Sequence, residues 1–438
     1  MNAEILMTKK QRADQIIQQF MKNTGVPGLA VGIVHQHEII VADGYGVKNI
    51  ETNEPVKGDT LFHTASVSKT FVASAVMQLV EQGAISLDSK IADLIPYFLM
   101  KDDRASEITV RQLLSHTSGM PDEEDYEWHS PVYEEHALEH YVRGIRDKSL
   151  DAAPGEQFGY SNIGYEILGH LISRISGLSF ESYMKEYLLN PMGMNHSDFY
   201  KRNVNPEQIA SPHVFDAKGS YRTCVSQIFP YHRAHGPSST LLSSAEEMCE
   251  AALVHLAASG AAGKSAPFTK FTPILHRKSY QEMWSPHAET GWGGQMSDVG
   301  CAWFMGDYKG ARVLSHSGRD TGFRSNFLLL PDTGSAVILM CNADHIGLQV
   351  LNRTLMDIVL GEEPEDLPYA IARPLAEVMV HQGVDQAVAA YERMVSTRSP
   401  NSLLIIEGEF EAIAEEFAEA HREQEAIQWK NVCMKVFS

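Results

Sequence analysis

The sequence predicts an α/β protein of the α+β kind. It should hold an antiparallel sheet flanked by helices, a largely helical subdomain beside it, and a small all-helical C-terminal region. Three observations carry that expectation. Strand patterns cluster near the start, at residues 29–34 and 38–42, and return at 300–305, 311–314, 324–330 and 335–340. Turns such as Asp307-Tyr308-Lys309-Gly310 and Pro331-Asp332-Thr333-Gly334 separate the late strands, which favours antiparallel pairing. Between the clusters lies a long, mostly helical stretch, about residues 84–290, so one sheet is completed by both ends of the main unit.

Taken in order, residues 10–21 place Ile16, Ile17, Phe20 and Met21 on one helical face. The first two strands form a hairpin around His35-Gln36-His37, whose histidines read as solvated turn residues rather than metal ligands. Residues 71–82 are an apolar-periodic helix stopped by Gly83, with the threonine and serines before it as N-cap chemistry. Thr109 opens a short helix through Leu113 and Leu114, and residues 116–121 form a turn pinned by His116. Pro154-Gly155 delivers Tyr160-Ser161-Asn162 to a helix over 163–175, and a second helix spans 180–188. Residues 200–240 read as irregular. Ser243-Ser244 with Glu247 opens a helix reaching about residue 258. A connection over 262–273, a short helix over 274–284 and a closing helix over 346–360 complete the unit. Residues 315–323, Ser-His-Ser-Gly-Arg-Asp-Thr-Gly-Phe, fall between the second and third late strands.

Composition narrows the function. The 438 residues carry 36 basic against 56 acidic side chains, a net charge of -20, which repels nucleic acid and anionic membrane. No apolar stretch follows the first basic residues, so a cytoplasmic location is expected. Cys224, Cys249, Cys301, Cys341 and Cys433 are an odd set without C-x-x-C spacing and read as free thiols. Neither zinc-type spacing nor a phosphate-binding glycine loop is present, so no metal or cofactor is expected.

Ser66 and Lys69 lie three apart at a helix start, so they share a face and the amine can take a proton from the hydroxyl. The helix N-terminus disfavours an ammonium there and favours developing negative charge. A cap serine beside a solvated lysine would have the same spacing. Tyr160 and Asn162 read either as an acid–base group with an amide-binding group for an acyl substrate, or, for the tyrosine, as a buried side chain satisfied by hydrogen bonds. Residues 122–136 are acidic and aromatic. They read either as a solvated surface or as a pocket rim selecting amine-bearing substrates and repelling carboxylates.

Together, Ser66-x-x-Lys69, Tyr160-Ser161-Asn162 and His316-Ser317-Gly318 resemble the serine β-lactamase and penicillin-binding protein superfamily. The likeness is greatest to the branch of class C β-lactamases, D-peptidases and related esterases. Residues 113–121, Pro154-Gly155, Pro191-Met192-Gly193-Met194 and Gly236-Pro237-Ser238-Ser239-Thr240 add to it, over roughly residues 10–360. The resemblance implies a β-lactamase/transpeptidase-like fold and a Ser66 acyl-enzyme, with Lys69 and Tyr160 sharing the proton transfers. It implies an oxyanion hole from the backbone N–H groups of Ser66 and Arg319. Asn162 would hold an acyl side-chain amide, His316 and Ser317 would meet the substrate, and Gly318 would leave space for it along the strand. An unshifted lysine or tyrosine titrates near pH 10, so electrostatics must lower one of them. Lys-Thr-Gly is usual in the third motif. His316, mostly neutral at pH 7, weakens a carboxylate anchor and resembles esterase, amidase and D-aminopeptidase members. Arg319 or Arg324 are the candidates to replace that charge.

The expected division is a hydrolase domain over 1–360 with its helical subdomain at about 84–290, a linker over 361–370, and a helical extension over 371–438. The extension resembles about two degenerate tetratricopeptide repeats. It reads either as a peptide-binding or dimerising module, or as a packing extension that leans on the main unit. The expected function is hydrolysis of a small ester or amide, including D-amino-acid peptides. A β-lactamase or penicillin-binding D,D-peptidase is the alternative enzyme, and a non-catalytic binding or scaffold protein the alternative class.

Overall fold

Strand β1 (Gly28–His35) is apolar and buried along its whole length, which suits the middle of a sheet covered on both faces. It turns into β2 (Glu38–Asn49) through Gln36 and His37, both at positive φ (50° and 64°), as a two-residue hairpin requires. His35 is not solvated, contrary to the sequence reading. It is buried at the strand end, and burial pulls its pKa down to about 4.

The computed structural model describes residues 3–123, 125–258, 273–364, 367, 369–397 and 402–437. The other strands of the main sheet are β3 (Glu54–Pro55), β4 (Ala288–Glu289), β5 (Asp298–Val299), β6 (Phe304–Tyr308), β7 (Ala311–Asp320), β8 (Phe323–Leu330) and β9 (Ser335–Cys341). Their order is β3-β2-β1-β9-β8-β7-β6-β5-β4. The first strand pairs antiparallel with the last, Leu29 opposite Cys341 through Val34 opposite Ala336, so both ends of the unit complete one sheet. One expectation fails usefully. Residues 315–320 are not a link between strands; they continue β7, because Leu314 through Asp320 pair with Leu329 through Phe323 across a turn of only Thr321-Gly322.

Strand alternation gives the sheet two apolar faces. Val31, Leu339 and Leu328 face helices α1 (Ala3–Thr24) and, at the end of the unit, residues 349–360. Ala30, Ile338 and Phe327 face the helical excursion, which includes α2 (Ser68–Glu81), α3 (Asn162–Ser176) and α4 (Ala245–Ala258). Helix α2 is buried nearly all round, so its propensity matters less than its packing. The threonine and serines before α2 do not cap it: Thr64 Oγ1 donates to the Leu241 carbonyl, and Ser68 Oγ accepts from Leu241 N–H. The start at Thr109 does carry a full capping box with Gln112. The helix at 349–360 is α5 (Gln349–Leu360).

The tail forms α6 (Ala372–Gln382), α7 (Val384–Thr397), α8 (Glu407–Glu419) and α9 (Glu423–Val436). Its core includes Leu375, Phe410, Phe417 and Trp429, together with Tyr221 of the main unit. Residues 200–240 are therefore not wholly irregular. His213–Phe215 pairs with Thr223–Val225, and the Asp216 carboxylate accepts from Gly219 and Ser220 N–H to close that hairpin. Tyr221 stacks on Phe417 at 4.9 Å. The expected linker contributes Tyr369–Ala370, which pairs with Leu403–Leu404. The connection read at 262–273 lies, up to residue 272, outside the described residues. All five cysteines are free thiols. Among the described residues no helix is long and apolar enough to cross a membrane.

Candidate active site

Ser66 sits on a single 3-10 turn, Ala65–Val67, immediately before α2. Ala65 has φ +48°, a conformation that costs a non-glycine residue energy and sharpens the bend presenting the serine. The bend is held from three sides. Ser325 Oγ of β8 donates to the Thr64 carbonyl, Leu241 N–H and C=O bind Ser68 and Thr64, and Gly318 of β7 presses against the turn. A Cβ at Gly318 would lie 2.5 Å from the Thr64 carbonyl oxygen and 2.9 Å from Ala65 Cβ. The glycine thus makes room for the serine turn.

Lys69 is fully buried, and its Nζ lies 3.1 Å from Ser66 Oγ and 2.8 Å from the Ser238 carbonyl. Burial pulls its pKa down to about 8, while Glu166, Asp320 and Asp122 pull the other way. The solvated-lysine alternative is thereby excluded. Tyr160 is hydrogen-bonded to Ser66, and burial raises its pKa above the usual phenol value despite that bond. Of the two candidate bases, only lysine moves towards the form that accepts a proton near neutral pH.

The Tyr160 segment is tied to residues 113–121 as one unit. His116 Nδ1 accepts from Ser161 N–H at 3.1 Å, its carbonyl accepts from Gly159 N–H at 2.8 Å, and its ring stacks on Tyr160 at 4.3 Å. His116 therefore pins the turn, as read, and also orients the tyrosine. Ser161 caps α3 by accepting from Gly164 N–H, which leaves Asn162 inside the first turn. The Asn162 backbone N–H and Nδ2 both donate to Asp122 Oδ1, at 2.8 and 2.9 Å. Its amide donors are thus committed to a carboxylate, rather than free for a substrate amide.

On β7, His316 is buried and its Nδ1 donates to the Ser317 carbonyl at 2.7 Å. That fixes the tautomer with a bare Nε2, which has no partner among the described residues. Burial, then the Lys69 charge, lowers its pKa to about 3, so it is neutral. Alternation sends Ser317 and Arg319 to the opposite face, with Arg324 and Cys341. Arg324 Nε donates to the Asp344 carbonyl, and Arg319 acts on Arg324 and Asp344. Neither arginine replaces the missing cation beside Ser66. Strand β6 pairs with β7 only from Ala311 to Ser315, so residues 316–320 continue past it.

Three carboxylates act on Tyr160: Asp122, which opens the acidic segment read as either a solvated surface or a pocket rim, and Asp320 and Glu166, which sequence reasoning missed. Asp320 Oδ2 accepts from His63 Nε2 at 2.7 Å and from Ser239 Oγ. The Asp320 signal was present, since it lies two residues past Gly318 on the same strand face. Among the described residues no group of three or more His, Cys, Asp or Glu is placed to hold a metal.

Comparison with known proteins identifies the family. The profile of the family described as Beta-lactamase matches residues 13–360. Protein flp of Staphylococcus aureus strain MW2 is 24% identical over 353 residues, covering 78% of this chain and 67% of its own. Penicillin-binding protein 4 of Amycolatopsis lactamdurans is 27% identical over 325 residues, covering 72% of this chain and 81% of its own. The octameric penicillin-binding protein homologue from Pyrococcus abyssi superposes with a TM-score of 0.71 at 25% identity, over 81% of this chain and 78% of its own. The family match stops at residue 360, and none of these relatives supports the tetratricopeptide likeness of the tail.

Proposed function

The chain belongs to the Beta-lactamase family and is a serine hydrolase of that superfamily, and from that premise we propose that Ser66 forms an acyl-enzyme with small, amine-bearing amides or esters. The observation that carries the mechanism is the 3.1 Å contact between Ser66 and a fully buried lysine whose pKa is down to about 8. Neutral Lys69 accepts the Ser66 proton as Oγ attacks the carbonyl carbon. Tyr160, held protonated and bonded to Ser66, hands a proton to the leaving group and is reprotonated through Lys69. The backbone N–H groups of Ser66 and Arg319 stabilise the oxyanion. Water then attacks the acyl-enzyme by the reverse proton path.

The substrate class follows from charge. Asp122, Asp320 and Glu166 act on Tyr160, His316 is neutral, and Arg324 is turned to Asp344. Such a site attracts an ammonium and repels a carboxylate, so amides and esters with a free amine, D-amino-acid derivatives among them, fit better than penicillins. Asn162 then contributes a wall more than an anchor, and Ser317 lies on the far face of β7. The catalytic work rests in residues 1–360. For the tail we favour a packing extension over a peptide-binding module, since Phe417 and its neighbours are spent on Tyr221.

The test is intact-protein mass and turnover with a D-alanyl anilide, a short-chain nitrophenyl ester and a penicillin, with Ser66→Ala alongside. Turnover of the first two, lost in the variant, is expected. A penicillin adduct formed faster than either reaction would overturn the substrate assignment, and turnover retained in Ser66→Ala would overturn the nucleophile.

A further inference from the structure

Helix α3, having presented Tyr160 and Asn162 at its head, carries a carboxylate into the core one turn later. Glu166 is fully buried. Its Oε1 accepts from Ser238 Oγ at 2.5 Å and lies 3.2 Å from His235 Nδ1. Its Oε2 is buried and has no partner among the described residues. A buried, half-satisfied carboxylate destabilises a fold unless something nearby uses its charge or its grip. Burial also pushes its pKa up, while His235, Ser238 and Lys69 act against that.

The grip is specific. Ser238 gives its hydroxyl to Glu166 and its carbonyl to Lys69 Nζ, so one residue joins the carboxylate to the amine. The surrounding packing leaves that join little freedom. A Cβ at Gly169, further along α3, would lie 2.0 Å from Pro237 Cγ, so the helix and the Gly236–Ser239 turn are pressed together. His235 is enclosed by the edges of Tyr126, Trp128 and Tyr141, at 5.0, 5.7 and 5.0 Å. The groups facing Lys69 are Glu166 and Tyr165 from α3, Asp320 and His316 from β7, and Asp122, Tyr160 and His116 from the connecting segments. Among the three carboxylates, Glu166 acts on the lysine most strongly.

We propose that Glu166 is a positioning residue for the Ser66–Lys69 pair: through Ser238 it holds the carbonyl that fixes the amine, and its charge sets the pH at which that amine becomes a base. This rests on the reading of Lys69 as the base. Removing the negative charge disfavours the ammonium, so the amine becomes neutral at lower pH.

The experiment measures Ser66 acylation by a short-chain nitrophenyl ester against pH, in the full chain, for wild type, Glu166→Gln, Ser238→Ala and Lys69→Met. In Glu166→Gln the acid limb is expected to move to lower pH by about one unit, an amount ordinary for loss of one nearby charge. Ser238→Ala keeps the charge and the carbonyl but cuts the link, so its limb stays and its plateau falls about tenfold, as for a misplaced reacting group. An unmoved limb in folded Glu166→Gln overturns the charge role. An unchanged plateau in Ser238→Ala overturns the positioning role, and this reading survives even if Glu166→Gln does not fold. A limb that persists in Lys69→Met overturns the base assignment and this inference with it. A limb lost in Lys69→Met but unmoved in Glu166→Gln, with the Ser238→Ala plateau unchanged, sinks the inference alone and leaves the base assignment standing.

Discussion

Two walls meet at Ser66, and they are built on opposite electrostatic plans. The helical wall, from α2, α3 and the Tyr160 segment, is charged: Lys69, Glu166 and Asp122 lie in it, each held by specific hydrogen bonds. The strand wall of β7 beside the serine is neutral and steric: His316 with a bare nitrogen, and Gly318 pressed on the turn. Asp320, at the far end of that strand, is the exception, and its carboxylate is bound by His63 and Ser239. Under the proposed mechanism the contrast teaches a division of labour: the helices would govern proton transfer, the strand shape, and the absence of a cation the choice of substrate.

Breaking the helical wall should have the largest effect. Lys69→Met removes the amine that contacts Ser66 Oγ and should lower kcat/KM by about 10³-fold with the fold intact, checked by steady-state kinetics and circular dichroism. Next comes the strand wall's steric role. Gly318→Ala drives a methyl towards the Thr64 carbonyl and Ala65, so it should cost about 1–3 kcal/mol of stability. By shifting the serine turn it should also lower acylation about 10²-fold, read from urea titration and ester turnover.

The pH profile sharpens the comparison because only one wall titrates near neutrality. Lys69 must be neutral to accept a proton, so activity should rise with pH and level off above about 8, falling about tenfold per unit below it. His316, lowered to about 3, should add no step between pH 5 and 8; a step there that His316→Gln removes would break the neutral-wall reading. The smallest effect is expected from His316→Lys. Restoring a cation to the strand wall should shift preference from an amine-bearing amide towards penicillin about tenfold, measured as the ratio of acylation rates.

Much of this was legible before any coordinates. Ser66 and Lys69 were readable because three-residue spacing at a helix start brings side chains together whatever surrounds them. The paired sheet ends were readable because strand patterns separated by a helical excursion leave few other topologies. The strand character of residues 315–320 was missed, since Ser-His-Ser-Gly-Arg-Asp carries no apolar alternation and is held in β7 by pairing with Phe323–Leu328. Asn162 was read as holding a substrate amide because its partner, Asp122, is 40 residues away in sequence.

The sequence by itself singled out Ser66 and Lys69, through their spacing at a helix start, and Tyr160 and His316, through the order of three motifs that resemble those of the family. Tertiary structure alone decided that the Lys69 pKa falls while that of Tyr160 rises, where the arginines turn, and which carboxylates act on the lysine and the tyrosine. Those outcomes depend on burial and on contacts between distant segments. The same lysine that would titrate near pH 10 in water is pulled to about 8 only once α2 is enclosed on all sides.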